Sequence, residues 1–155
     1  MNVAQAKSEG TLTANVKGLE PPVEDSYTTK TVHLTAQFDS AFNQQAWKAR
    51  GDWSIDGRPK RDLSIVLDVS QDAKTDVSYD LISDSGLVRA VLVEPLAVGI
   101  DPLYRATQGK VTFTSVPALG SDKGIIESKF EFLGQNGDSP PKTVTISEGT
   151  LRIQN

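Results

Sequence analysis

The sequence contains no cysteine and a single histidine, His33, among its 155 residues. Disulfide bonds and thiolate metal sites are therefore excluded, and so is a metal site built from several histidines. A Ser-His-acid triad would have to use His33, which lies in a threonine-rich segment with no nucleophile motif near it. No glycine motif of the kind that binds phosphate groups is present. We therefore expect no catalytic site, no metal and no cofactor.

Basic residues and long apolar runs are also scarce. The 16 lysines and arginines stand against 20 acidic residues, so the net charge is −4. A dedicated nucleic-acid-binding protein needs a basic surface to displace counterions from phosphates, and this class is disfavoured. The first ten residues have no apolar core of signal-peptide length, and no stretch could cross a bilayer. We expect a soluble protein with no membrane partner, assembled in the cytoplasm.

Alternation of apolar and polar residues is the pattern that the sequence does contain. A period of two predicts strands with one buried and one wet face. The clearest pair of strands lies on either side of a Gly-rich loop, and we expect those two to be antiparallel neighbours. We predict a mainly β fold of two packed antiparallel sheets, a β-sandwich or partial barrel. The segments with this pattern are 12–16, 32–38, 63–69, 111–115 and 126–132. The segment 87–93 is apolar on both faces apart from Arg89, which predicts a strand that is covered on both sides or packed in an assembly.

In one segment the apolar residues recur every four positions instead of every two. Ala73, Val77 and Leu81 are spaced four residues apart, as on one stripe of a helix, with Asp72 as its N-cap and Gly86 ending the region. We therefore predict one flanking α-helix. The chain is long enough for one domain, 1–155. It would have an N-terminal arm at about 1–9 and a C-terminal hairpin or extended arm at about 143–154.

The segment from 39 to 61 shows no sustained strand pattern, and we predict a long loop there. It contains both tryptophans, Trp47 and Trp53. Large rings need a partner surface, so they either fold back on the domain's own core or dock onto another subunit. From Lys48 to Arg61 there are five bases and two acids, a net charge of +3 in an acidic chain. Such a loop is either solvated or steers head-to-tail self-association.

The order of segments from 58 to 137 resembles phage tail tube proteins. A strand begins at Lys60-Arg-Asp-Leu-Ser-Ile, an acidic-capped helix follows at Asp72-Ala-Lys-Thr-Asp, and another strand runs to Pro95. The last pair contains Gly109-Lys-Val-Thr-Phe-Thr-Ser and Gly124-Ile-Ile-Glu-Ser-Lys-Phe-Glu-Phe-Leu-Gly.

This resemblance implies a virion structural protein that is not an enzyme. Six copies would form a ring with a β-barrel lumen, and rings would stack through the long loop and terminal arms into a tube that conducts DNA. Its partners would be further copies of itself and the tape measure, tail terminator and baseplate proteins, with DNA passing only transiently. The inter-ring contact would comprise Trp47, Lys48, Arg50, Trp53, Arg58, Lys60 and Arg61. The polar, luminal face would include Asp62, Asp68, Glu127 and Glu131.

Two other functions use the same strands. A monomeric β-sandwich binding or capsid-decoration module would use Trp47, Trp53 and Tyr104 as ligand platforms. A related tail component, such as a terminator or baseplate hub, would stop at one ring. The oligomeric state distinguishes the three functions. A tail tube protein should form tubes, a terminator or hub should form discrete rings, and a binding module should stay monomeric.

Overall fold

The computed structural model describes residues 8–23, 26–56, 60–82, 86–95, 100–118, 120–121 and 123–155. It is mainly β, as predicted. The strands are β1 (Glu9–Lys17), β2 (Tyr27–Thr29), β3 (Val32–Asp39), β4 (Gln44–Ile55), β5 (Arg61–Ser70), β6 (Ser78–Asp80), β7 (Val88–Val93), β8 (Leu103–Ser115), β9 (Ile125–Gln135) and β10 (Thr143–Gln154).

The strands form one antiparallel sheet in the order β2-β1-β10-β9-β8-β7-β5-β4-β3, with β6 paired to β8. The sheet curls so that β3 approaches the start of β1 and the end of β10. The Leu34 N–H on β3 donates to the Ser8 hydroxyl at 2.8 Å, and the Asn155 side-chain amide donates to the Leu34 carbonyl at 3.2 Å. The prediction of antiparallel β structure is confirmed, but a single, nearly closed barrel-like sheet replaces two packed ones.

The barrel interior is the hydrophobic core. Strands with near-strict alternation, such as β5 and β9, point their apolar residues inward, where side chains such as Ile65 and Ile126 are fully buried. The opposite residues form the outer face. The predicted central pair is confirmed, because β8 and β9 are antiparallel neighbours with Val111 opposite Phe130. Alternation therefore separates core from solvent in the way that the sequence pattern indicates.

The predicted flanking helix is wrong, since the described residues contain no helix. After β5 the chain turns, and the Asp76 N–H donates to the Phe113 carbonyl at 2.9 Å with a positive φ of 61° at Asp76. This bond directs the next residues onto β8 as the short strand β6. Ala73 and Leu81 are buried from two separate turns, whereas Val77 is 42% exposed. Their four-residue spacing is therefore not a helical stripe.

The predicted loop over 39–61 is also wrong in most of its length. β4 occupies its centre and pairs with both β3 and β5. Its inward positions alternate large and very small residues, with Ala49 and Gly51 between the tryptophans, so the apolar alternation is hard to detect. The Gly51 position leaves little room for a side chain, because a Cβ there would lie 3.0 Å from the Leu12 side chain.

The predicted C-terminal hairpin is a single strand. β10 pairs with β1 and β9 along its length, and the register shifts between Ile146 and Gly149. Glu148 has a φ of 50° there, which marks a β-bulge rather than a turn. Of the predicted N-terminal arm, residues 1–7 lie outside the described residues and Glu9 begins β1. No helix able to span a membrane occurs in the described part of the chain.

Candidate functional site

The two tryptophans predicted for the inter-ring contact belong to the chain's own core. Trp47 is only 5% exposed. Trp53 is half-buried against the core, with its ring 4.8 Å from the Tyr27 ring. Burial raises the pKa of the Tyr27 phenol, whose hydroxyl donates to the Gly51 carbonyl at 2.6 Å. Of the two alternatives, folding back on the core is the one realised, and the assignment of Trp47 to a subunit contact is corrected.

Arg61 is likewise an internal residue. Its guanidinium binds the Glu94 carboxylate at 2.8 Å, and the two side chains are 10% and 1% exposed. A further N–H donates to the Pro21 carbonyl. Arg61 therefore neutralises a buried acid and ties β5 to β7. Among the other predicted contact residues, Lys60 is exposed and Arg58 lies outside the described residues.

Lys48 and Arg50 remain accessible on the outer face of β4. The Arg50 Nε lies 2.5 Å from the Asp52 carboxylate, which also accepts from the Ser64 hydroxyl at 2.6 Å. The His33 Nε2 is 3.7 Å from the other Asp52 oxygen, and His33 is 55% exposed. This cluster is a surface ion network in which Asp52 contacts a guanidinium, a hydroxyl and an imidazole. In the described residues no group of three potential metal ligands occurs.

A second network links three strands on the same face. Arg89 on β7 binds Asp39 at the end of β3 and lies 3.6 Å from Asp68 on β5. The Phe42 ring covers the Arg89 guanidinium at 4.7 Å. Burial raises the pKa of Asp68, and the nearby cations Lys48 and Arg89 oppose that effect. The contacts of Arg89 with Asp39 and Phe42 thus hold the β3–β4 turn against the outer face of the barrel.

The four acids predicted for a polar face all lie on the outer face, in two separate places. Asp62 is exposed and accepts a hydrogen bond from the Ser54 hydroxyl at 2.6 Å. Asp68 lies near the cations Lys48 and Arg89. Glu127 and Glu131 lie on β9, which β7 and β8 separate from β5. Asp62 and Asp68 share β5, and Glu127 and Glu131 share β9, but the structure does not bring the four together.

The outer face of β1, β10, β9 and β8, which we name the polar wall, is rich in threonine. Thr13 and Thr150 share a hydroxyl hydrogen bond at 2.6 Å. The acids there have basic neighbours: Glu127 lies 3.3 Å from Arg152, and Glu131 stands opposite a lysine. The residues that define the wall are Thr11, Thr13, Lys110, Thr112, Thr114, Glu127, Lys129, Glu131, Thr145, Thr150 and Arg152.

The aromatic ligand platform of the alternative binding module is not formed. Trp47 and Tyr104 are buried at 5% and 3% exposure, and burial raises the Tyr104 pKa. A different cavity of about 1020 Å³ lies at the end of the barrel where β5 and β8 finish. Its lining mixes Tyr79 and Val77 with polar residues of the turn after β5. This cavity is open rather than enclosed by aromatic rings.

Sequence reasoning missed Glu94, Arg89 and Phe38. Glu94 follows an apolar strand and precedes a proline, which gave a weak signal of a buried acid. Arg89 was visible as the one charge in an apolar strand. Phe38 is 59% exposed although it occupies an inward position of β3. The sequence pattern does not distinguish Phe38 from a core residue, because its exposure depends on which parts of the fold pack against it.

Comparison of the chain with protein-family models, with curated proteins and with solved structures finds no match.

Proposed function

We propose that this protein is a structural subunit that assembles with copies of itself into hexameric rings, stacked as a phage tail tube through which DNA passes. The observation that supports the proposal most directly is the polar wall. A channel for DNA needs a wet, polar surface, and the outer face of strands of 9 to 13 residues is polar here, which supports the proposal. The segment order that resembles tail tube proteins includes two of its strands, β8 and β9.

The charges on the wall suit transient passage. A wall with unpaired bases would hold phosphates, because each contact releases condensed counterions. Here Arg152 lies beside Glu127 and Lys110 lies opposite Glu131, while Lys129 stands between Thr112 and Thr150. The threonines between them offer hydroxyls without net charge. With two of its three bases compensated, the wall would hold DNA only weakly as it slides past.

The stacking contact between rings must be smaller than the sequence suggested. Trp47, Trp53 and Arg61 contribute to the fold, which leaves Lys48, Arg50 and Lys60 as the exposed bases of that set among the described residues. These face an acidic chain in the neighbouring ring, so charge attraction would guide stacking. The tape measure, terminator and baseplate proteins would be the partners in the virion tail.

Negative-stain microscopy across a concentration series, with light scattering alongside, tests the proposal. Hollow striated tubes are the expected result. Discrete rings that never elongate would favour a terminator or hub. A strict monomer at every concentration would contradict self-assembly and favour a binding module. The cavity beside Tyr79 would then be the ligand site to examine first.

A further inference from the structure

One segment of the sheet edge remains open. Within β3, Leu34 directs its N–H and carbonyl away from β4, because they bond to Ser8 and Asn155. Antiparallel pairs alternate between bonded and non-bonded positions, so the backbone groups of Ala36 and Phe38 point the same way. Among the described residues, no hydrogen bond occupies them. We name Ala36 and Phe38 the open edge.

The open edge lacks the features by which proteins usually prevent strand addition. Lysine, proline and bulges are the common protections. The segment from Val32 to Phe38 contains no Lys, Asp, Glu or Pro, and its only ionisable residue is His33. β3 pairs with β4 without a register shift, unlike β1, β8, β9 and β10. Phe38 adds an apolar ring, 59% exposed.

The other terminal strand of the sheet, β2, is covered by β4. The Thr29 hydroxyl donates to the Asp52 carbonyl at 2.5 Å, and the Tyr27 hydroxyl donates to Gly51. The best complement that the described chain offers to the open edge is therefore the same edge of another copy. Ala36 and Phe38 are two positions apart on one strand. A two-fold rotation therefore places Ala36 of each copy opposite Phe38 of the other, so the edge is self-complementary.

We propose that two copies pair through β3 as an antiparallel, two-fold dimer centred on Gln37. Ala36 of each copy would form a hydrogen-bonded pair with Phe38 of the other, giving four backbone hydrogen bonds. Each Phe38 ring would then pack beside the small Ala36 of the partner copy. Neutral edges permit this approach in a chain of net charge −4. The contact is small, well below ~1,200 Å², so the dimer is weak and reversible.

This inference goes beyond the tube, because a two-fold contact closes at two copies and does not propagate. It describes the free subunit before ring assembly, with its exposed edge protected by pairing. The dimer would have to separate before the subunit enters a ring. The two proposals can therefore fail independently.

A single cysteine tests the geometry directly, because the chain has no thiol of its own. In Gln37→Cys the two thiols would lie across the axis at a non-hydrogen-bonded pair, where Cα atoms are about 4.5 Å apart. That distance suits a disulfide. We expect a disulfide-linked dimer on mild oxidation of the full chain.

Thr35→Cys is the matched control, on the same strand and face. In the proposed dimer its two copies would stand four residue rises apart, about 13 Å, too far for a disulfide. Cross-linking at 37 but not at 35 supports the dimer. No cross-link at 37, or equal cross-linking at both positions, overturns it, whether or not tubes form.

Solution mass provides the second measurement. Ala36→Pro removes an N–H that β4 does not use, so it should keep the fold and abolish the concentration-dependent doubling of mass. Phe38→Lys should do the same. Val77→Lys, a change at another exposed apolar residue away from β3, should leave the doubling intact. Loss of the dimer in Val77→Lys, or its survival in folded Ala36→Pro, contradicts the proposal.

Discussion

At the scale of single residues, the Arg61–Glu94 pair has the largest consequence for stability. Glu94 is 1% exposed, and its carboxylate receives three hydrogen bonds from one guanidinium. A buried pair is held at a high desolvation cost, so removing one partner leaves the other charged and unsolvated. Its role is therefore best tested by breaking it and by replacing it whole.

Glu94→Gln should lower the free energy of unfolding by about 3 kcal/mol, because Arg61 keeps its buried charge. The double variant Arg61→Met/Glu94→Met should regain most of that loss. Denaturant unfolding measures both. Glu131→Gln, at an exposed acid, is the control and should stay within about 0.5 kcal/mol of the parent. A Glu94→Gln variant as stable as this control would show that the pair is unimportant.

Asp101 gives a residue-scale prediction that depends on pH. The backbone N–H groups of Leu103 and Gly137 bond to its carboxylate and hold its pKa below the usual value. A lowered pKa in the folded state means stability that is present above the unfolded pKa of about 4 and lost as pH falls through the folded pKa. Asp101→Asn should therefore melt at a lower temperature at neutral pH.

The same comparison at acid pH provides the check on Asp101. Once the pH lies below the folded pKa, the parent carboxyl is neutral, and its melting temperature should approach that of Asp101→Asn. Asp62→Asn removes an exposed acid that accepts one hydroxyl and is the control. A difference between parent and Asp101→Asn that is constant across pH would contradict the electrostatic explanation.

At the scale of elements, prediction succeeded where large apolar residues alternate without interruption. β5 and β9 come near that condition, with interruptions at Val66 on the outer side of β5 and at Ser128 on the inner side of β9, and their faces agree with the pattern. β4 was missed because Ala49 and Gly51 occupy inward positions and interrupt the run of large apolar residues; at Gly51 a Cβ would lie 3.0 Å from the Leu12 side chain. The helix was predicted from a four-residue spacing that two turns and a short strand also produce. Period alone cannot separate these, since turn geometry depends on a bond to the distant Phe113.

The β10 bulge yields an element-scale prediction. Gly149 faces the Phe130 ring, and a Cβ there would lie 2.5 Å from it. Gly149→Ala should therefore overpack the contact and cost about 1–3 kcal/mol of unfolding free energy. Thr150→Ala, the next residue on the exposed face, should cost much less. Equal effects in thermal or denaturant unfolding would contradict a continuous strand at this point.

At the scale of the whole molecule, the missing information was which distant residues meet. The sequence indicated that the four acids would be polar and outward, but not that Glu127 would lie beside Arg152, because that pairing depends on strand register. Closure of the barrel depends on Ser8 and Asn155 meeting Leu34. These contacts join residues far apart in the chain, which local patterns do not specify.

The register of the polar wall leads to a prediction about DNA. Replacing Glu127 and Glu131 by glutamine keeps the size of both side chains but leaves the wall bases uncompensated. The double variant should bind duplex DNA in a gel-shift assay at low salt, whereas the parent should not. Three bases form the patch, Lys110, Lys129 and Arg152. The logarithm of affinity should therefore fall with that of salt with a slope no steeper than about −2.7.

A matched control separates the wall from net charge. Asp56→Asn/Asp62→Asn changes the overall charge by the same amount, at exposed positions away from the wall. This control should not shift DNA. If it binds DNA as well as the wall variant does, overall charge rather than the arrangement on β8, β9 and β10 governs the contact. If neither binds, the paired acids are not what keeps DNA from the wall, and the electrostatic support for a DNA channel is lost.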